Sequence, residues 1–186
     1  MLNMLQPAVL FKGNEVEGPE IDRITRRLGD ITDIFSDKAA LAALPASEKV
    51  YDVASYLPVA EGTEAGLFFG ITYLYPGKVG REYFMTKGHF HRLRNRAEFY
   101  HCLEGEGMLI LMDEQRNTRA EKMYPGSLHY IPGHTAHRTA NTGSGMLVFS
   151  AFWPSDAGHD YEVISEQGFS RILVEEDGRP VLVAHP

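Results

Sequence analysis

Residues 86–107 read TKGHFHRLRNRAEFYHCLEGEG, which sets two histidines, His89 and His91, in alternation in a chain that has only eight. Alternation is the period of a β-strand, so both imidazoles point to one face. Glu98 then opens an apolar run, after a turn that residues 93–96 can build. If Glu98 faces inward, Tyr100 and Cys102 follow it, while Phe99 and His101 face the other way. The histidine pair is either surface decoration or two nitrogen ligands for something inside the fold.

Outward from this stretch the strand-like pattern repeats. Apolar and aromatic runs occupy residues 67–75, 98–103, 108–112, 127–131, 146–153 and 171–175. Turn signals separate them: Pro76-Gly77, the EGEG of 104–107, Pro125-Gly126, Pro132-Gly133 and Asn141-Thr142-Gly143. Short strands at even spacing with Gly and Pro turns predict an all-β sandwich or barrel, here over residues 51–186. Residues 1–50 read as an extension packed on it, with short helices and strands. In this extension Ile21, Ile24 and Leu28 follow helical spacing with Arg23, Arg26 and Arg27 on the other side, and Ser36-Asp37 caps a short Ala- and Leu-rich helix that Pro45 stops.

The 186 residues suffice for one domain with a substantial core. With 44% hydrophobic and 23% charged residues the composition is that of an ordinary globular protein. A net charge of −7 argues against a nucleic-acid partner, which needs a concentrated basic surface. The one dense basic run, Arg92, Arg94 and Arg96, reads as a solvated loop. Cys102 is the only cysteine, so there is no disulfide framework and a reducing cytoplasm fits. The N-terminal stretch lacks the pattern of a signal peptide, and no segment nears the roughly 18 apolar residues of a membrane span. A soluble cytoplasmic protein with no membrane partner is expected.

A further histidine, His137, follows the Pro132-Gly133 turn in PGHTAHRTAN. Three imidazoles and one carboxylate, delivered by different strands, can converge inside a small barrel. That donor set suits Fe, Mn, Ni, Co or Zn. His101, on the opposite parity from Glu98, is not expected to join it.

The spacing of His89, His91, Glu98 and Gly105, followed by Gly126, Pro132, His137 and Asn141, resembles the two motifs of the cupin superfamily, small jelly-roll-like β-barrels. The gap of six residues between His91 and Glu98 is wider than usual, and His134 stands where a glycine is expected. The segments LYPGKVG (74–80), TKGHFH (86–91), AHRTAN (136–141) and PSDAGHDY (154–161), with the ending EQGFSRILVEE, look like the cupin-type phosphoglucose isomerases, the archaeal form of that activity. Trp153 departs from the tyrosine often found there.

The resemblance implies a metal-dependent interconversion of glucose 6-phosphate and fructose 6-phosphate. It implies one divalent metal on His89, His91, Glu98 and His137, with Fe2+ ahead of Mn2+, Ni2+, Co2+ and Zn2+. It also implies a phosphosugar as partner and a homodimer paired through N-terminal strands. Tyr51, Thr72, Thr86, Lys87, Gly88 and Tyr161 become substrate contacts, and Glu98, Tyr100 and His159 catalytic candidates. A phosphate dianion wants several directed donors, and Thr86-Lys87-Gly88 offers a hydroxyl, an ammonium and an amide beside the metal ligands. On the residues alone, Thr72 is an ordinary strand residue, Lys87 a surface lysine, and Tyr100 and Tyr161 core or wall aromatics. Glu98 serves as acid–base group whether hydrogen moves through an enediol or as a hydride. The competing readings are a cupin dioxygenase, a sugar-phosphate epimerase and a non-catalytic sugar-phosphate binder.

Overall fold

The computed structural model describes residues 4–186; the first three residues of the N-terminal extension lie outside it. The strands are β1 (Leu10–Lys12), β2 (Glu15–Glu17), β3 (Ile21–Arg27), β4 (Lys49–Tyr56), β5 (Leu67–Leu74), β6 (Lys78–Val79), β7 (Glu82–Tyr83) and β8 (Phe90–His91). They continue as β9 (Glu98–Glu104), β10 (Gly107–Asp113), β11 (Thr118–Met123), β12 (Leu128–Ile131), β13 (Thr135–Asn141), β14 (Leu147–Pro154), β15 (His159–Asp160), β16 (Arg171–Glu176) and β17 (Arg179–Ala184). Two short helices, α1 (Lys38–Ala42) and α2 (Glu162–Gln167), lie between them.

The main sheet has six strands in the order β12-β9-β14-β5-β4-β3, with antiparallel pairing throughout. Facing it are the three strands β11-β10-β13, to which Met85 and His89 attach through bridges to Ala140 and His137. A four-stranded sheet, β17-β16-β7-β6, completes the enclosure. The result is a small all-β barrel, as the sequence predicts. Its interior is filled by Leu28, Leu74, Met85, Leu109, Leu111, Phe149 and Phe169, all essentially without solvent contact. Alternation on β9 is as the sequence predicts: Glu98, Tyr100 and Cys102 are buried, while Phe99 is exposed.

The helix expected from Ile21, Ile24 and Leu28 is a strand instead. β3 pairs with β4 from Ile21↔Tyr56 to Arg27↔Lys49, so its backbone groups are satisfied across a sheet edge. A spacing of three residues puts Ile21 and Ile24 on opposite faces of a strand. Ile21 packs on the cluster of Val16, Ala54, Ile71 and Val148, whereas Ile24, about half exposed, lines the rim of a cavity on the other face. The strand bulges between Arg26 and Arg27, and Leu28 is buried in a single 3-10 turn over Leu28–Asp30. The second expected helix is present as α1, capped by the Asp37 carboxylate, which accepts from Ala40 N at 2.9 Å.

Of the basic run, Arg92 is exposed as expected, whereas Arg94 and Arg96 are partly buried and anchored. Arg94 pairs with Asp160 at 2.5 Å and lies 4.5 Å over the Phe90 ring, and Arg96 makes a two-pronged contact with Asp156 at 2.6 and 2.9 Å. These arginines clamp the 93–96 turn to the segment leading into β15. No described helix is long and apolar enough to cross a membrane.

Candidate active site

Four side chains gather inside the barrel. His91 ends β8, His137 lies mid-β13, and Glu98 opens β9. His89 precedes the short β8 strand and is held by a bridge to His137, with backbone hydrogen bonds of 3.0 and 3.2 Å running both ways. The donor atoms of His89, His91, Glu98 and His137 all lie within 4.8 Å of one another.

The outer nitrogens of two of these imidazoles are already engaged. His91 Nδ1 donates to the Arg96 carbonyl at 2.9 Å, and His137 Nδ1 to the Thr135 carbonyl at 3.3 Å. Such bonds fix the tautomer and turn the Nε2 lone pair inward. His91 Nε2 then meets Glu98 Oε2 at 3.0 Å, and His137 Nε2 lies 3.1 Å from the same oxygen without hydrogen-bond geometry. His89 Nε2 is buried with no partner. Lone pairs facing a carboxylate in a dry interior need positive charge between them, so three nitrogens and one oxygen fit a divalent cation of the N/O-loving kind.

Electrostatics agree with an ionised carboxylate at the centre of the group. Burial alone would raise the Glu98 carboxyl, but the contacts of His137 and His91 outweigh it and hold it at about 2. Burial opposes charge on His91, yet the Glu98 bond raises its pKa. His89 is pushed well down by burial and by the neighbouring imidazoles.

These groups open on a cavity of about 210 Å³ that runs along the inner face of the six-stranded sheet. Every expected substrate or catalytic residue outside the four lines it: Tyr51, Thr72, Thr86, Lys87, Gly88, Tyr100, His159 and Tyr161. Thr86 Oγ accepts from Thr139 N at 3.0 Å, which leaves its hydroxyl proton free for an anion. Gly88 has φ +77°, and a Cβ there would meet Arg138 Nε at 2.9 Å and the Phe169 ring at 3.0 Å, so only glycine fits this close passage. Lys87 is no surface lysine: its ammonium lies 3.2 Å from Asp33 and 5.5 Å over the Tyr161 ring. His159 is set opposite His91 by the β15–β8 pairing, 4.4 Å from the His89 ring and stacked on Tyr161. Burial lowers its pKa. Burial likewise raises Tyr100 well above its usual value and Tyr161 to about 12, so both keep their protons.

The remaining lining, apart from Trp153, was not marked in the sequence. Ile24 and Arg26 come from β3, Val53 and Ser55 from β4, and Phe149, Ala151 and Trp153 from β14. Reading β3 as a strand would have put Ile24 and Arg26 on one face. His101 lies on the opposite parity from Glu98 and stays out of the site. His129 is taken up elsewhere, between Ser127 and Glu121 at 2.9 Å each.

Residues 25–184 match the family model described as Glucose-6-phosphate isomerase (GPI). The chain is 43% identical over 178 residues to a glucose-6-phosphate isomerase of Pyrococcus horikoshii, covering 95% of this chain and 92% of that protein. It is 45% identical over 163 residues to the glucose-6-phosphate isomerase of Thermococcus litoralis, covering 87% and 85%. Among solved structures, oxalate decarboxylase from Bacillus subtilis matches 59% of this chain and 26% of its own, at 18% identity and a TM-score of 0.47.

Proposed function

Because this chain belongs to the glucose-6-phosphate isomerase family, we propose that it interconverts glucose 6-phosphate and fructose 6-phosphate in a metal-dependent reaction. The observation that carries this reading is the convergence of His89, His91, Glu98 and His137 within 4.8 Å at a cavity lined by anion donors. The four side chains would hold the ion, with Fe2+ proposed ahead of Mn2+, Ni2+, Co2+ and Zn2+. When bound, such an ion supplies Lewis acidity at the developing alkoxide of the sugar.

The protein's own groups do the rest. The Glu98 carboxylate, ionised down to about pH 2, is the base that takes or steers the proton between C1 and C2. Tyr100, on the same face of β9 and held protonated by burial, donates to a sugar oxygen. His159, neutral and in the cavity, is placed to accept or return the proton of ring opening. The Thr72 and Thr86 hydroxyls, the Gly88 amide, Lys87, Tyr51 and Tyr161 bind the phosphosugar. Phe149, Ala151 and Trp153 keep water from the sugar's apolar face.

The same reading covers the setting: a cytoplasmic enzyme of glycolysis and gluconeogenesis, with residues 1–50 as an extension on the 51–186 barrel. It also covers a homodimer. The outer face of the main sheet exposes Phe99 against Tyr130, ring centroids 5.2 Å apart, and Phe152 against Phe69 at 5.0 Å, with Leu128 and Leu67 beside them. Phe11 of the β1–β2 hairpin reaches Phe69 at 6.4 Å, so N-terminal strands border this face. A contiguous apolar face of this kind supports a subunit interface there.

A coupled assay with fructose 6-phosphate, before and after EDTA, tests the activity. Turnover should vanish on chelation and return with Fe, Mn, Ni or Zn; activity indifferent to confirmed metal loss would defeat the mechanism.

A further inference from the structure

We propose that Arg26 is the cation that receives the substrate's phosphate, and that Lys87 is not. The inference rests on the phosphosugar reading of the cavity and adds to it a charge that no motif of the sequence marks.

A sugar phosphate carries close to two negative charges near neutral pH. Hydroxyls and amides give it direction, but neutral donors leave most of that charge uncompensated. Among the described residues lining the cavity, the cations other than imidazoles are Arg26 and Lys87. Lys87 is already neutralised, because its Nζ lies 3.2 Å from Asp33 Oδ2. Asp33 also accepts from the Ser165 hydroxyl at 3.2 Å, which keeps its carboxylate in place. Arg26, by contrast, forms no ion pair among the described residues. A guanidinium also presents a planar fork that matches two phosphate oxygens at once, which an ammonium does not.

The local structure aims this side chain. Arg26 lies opposite Tyr51 in the β3–β4 ladder and shares its face with Ile24, both toward the cavity. The bulge that follows sends Arg27 elsewhere, to the Ser47 carbonyl at 2.6 Å. Bulges re-aim side chains in this way. Arg26 is exposed while lining the cavity, so it stands at the rim, where an incoming anion meets it first.

The sheet order supports the placement. Glu98 is on β9 and Arg26 on β3, four strand steps apart, with lining residues from β14, β5 and β4 between them. A chain-like substrate lying across this concave face would have its reacting carbons at Glu98 and its far end toward β3.

The test uses the full-length metal-loaded protein and two variants, Arg26→Met and Arg26→Lys. With fructose 6-phosphate, Arg26→Met should raise KM by about tenfold or more and leave kcat within a few-fold, the signature of a lost charge contact rather than damaged chemistry. Titration calorimetry with inorganic phosphate should show a parallel loss of affinity, and Arg26→Lys should recover part of both. Metal content should match the wild type. Unchanged KM and unchanged phosphate affinity in Arg26→Met would overturn the proposal, as would a fall in kcat alone. Wild-type protein that binds phosphate through Arg26 but does not turn over fructose 6-phosphate would instead overturn the isomerase reading.

Discussion

His91 and Glu98 meet inside the barrel at 3.0 Å, Nε2 to Oε2, while the other nitrogen of the same ring donates to the Arg96 carbonyl at 2.9 Å. Seven positions separate them in sequence, and the 93–96 turn between them is closed by Arg96 N donating to the Leu93 carbonyl at 3.0 Å. The turn that carries the arginines is thus also what fixes the imidazole's tautomer.

Substituting Glu98 by Gln keeps the size of the side chain and one oxygen donor but removes the charge. Turnover should fall by about 100-fold or more, while a phosphosugar still binds within a few-fold of the wild type. Calorimetry beside the coupled assay checks this. Protein in which fructose 6-phosphate binds but is never converted, wild type included, would instead be a non-catalytic binder.

Acid should weaken the metal-free protein through the same carboxyl. Glu98 titrates at about 2 in the fold against 4.5 as its ordinary value. Between those values the unfolded chain binds more protons, so stability is present above about 4.5 and is lost as pH falls toward 2. Urea midpoints of the chelated protein should drop across that window, and Glu98→Gln should flatten this part of the curve. Equal slopes in both proteins would sink the assignment.

His134 occupies the left-handed region, with φ +61°, at the turn before β13. Its N–H donates to the Arg94 carbonyl, and its exposed ring reaches Glu114 at 3.2 Å, a surface pair worth little. Replacing it by Gly removes the steric cost and should stabilise the fold by about 0.5–1 kcal/mol, with activity unchanged. Thermal unfolding reads the difference; a lower Tm would mean that the Glu114 contact outweighs the backbone term.

The dimer proposal is checked by equilibrium sedimentation of the wild type and of a Phe99→Asp, Phe152→Asp double variant. The wild type should sediment as a dimer and the variant as a monomer that keeps its metal. A wild type that stays monomeric at high concentration removes the proposal.

Most of the barrel was legible because its central strands are apolar runs bounded by Gly and Pro turns, and β9 shows its parity within seven residues. The convergence of His89, His91, Glu98 and His137 was legible for the same reason, since alternation and turn position place each of them. β3 was not, because a three-residue spacing of isoleucines is common to a helix stripe and to two faces of a strand. Only the pairing with β4, more than twenty residues on, decides between them, and Arg26 was misplaced with it. β11, with the sequence TRAEKM, is too polar to stand out and is recognised by its ladder to β10. The anchoring of Arg94 and Arg96 depends on Asp160 and Asp156, about sixty positions away, a distance at which no local pattern registers.

Thr86, Gly88, His89 and His91 belong to one six-residue ribbon, wedged at Gly88 against Arg138 and Phe169. Anything that grips one part of that ribbon therefore sets the stance of the other. Filling the cation position should tighten the hold on the sugar phosphate, and by linkage the sugar phosphate should raise the affinity for the ion by the same factor. Enzyme kept with its substrate would then resist chelators that strip it when idle.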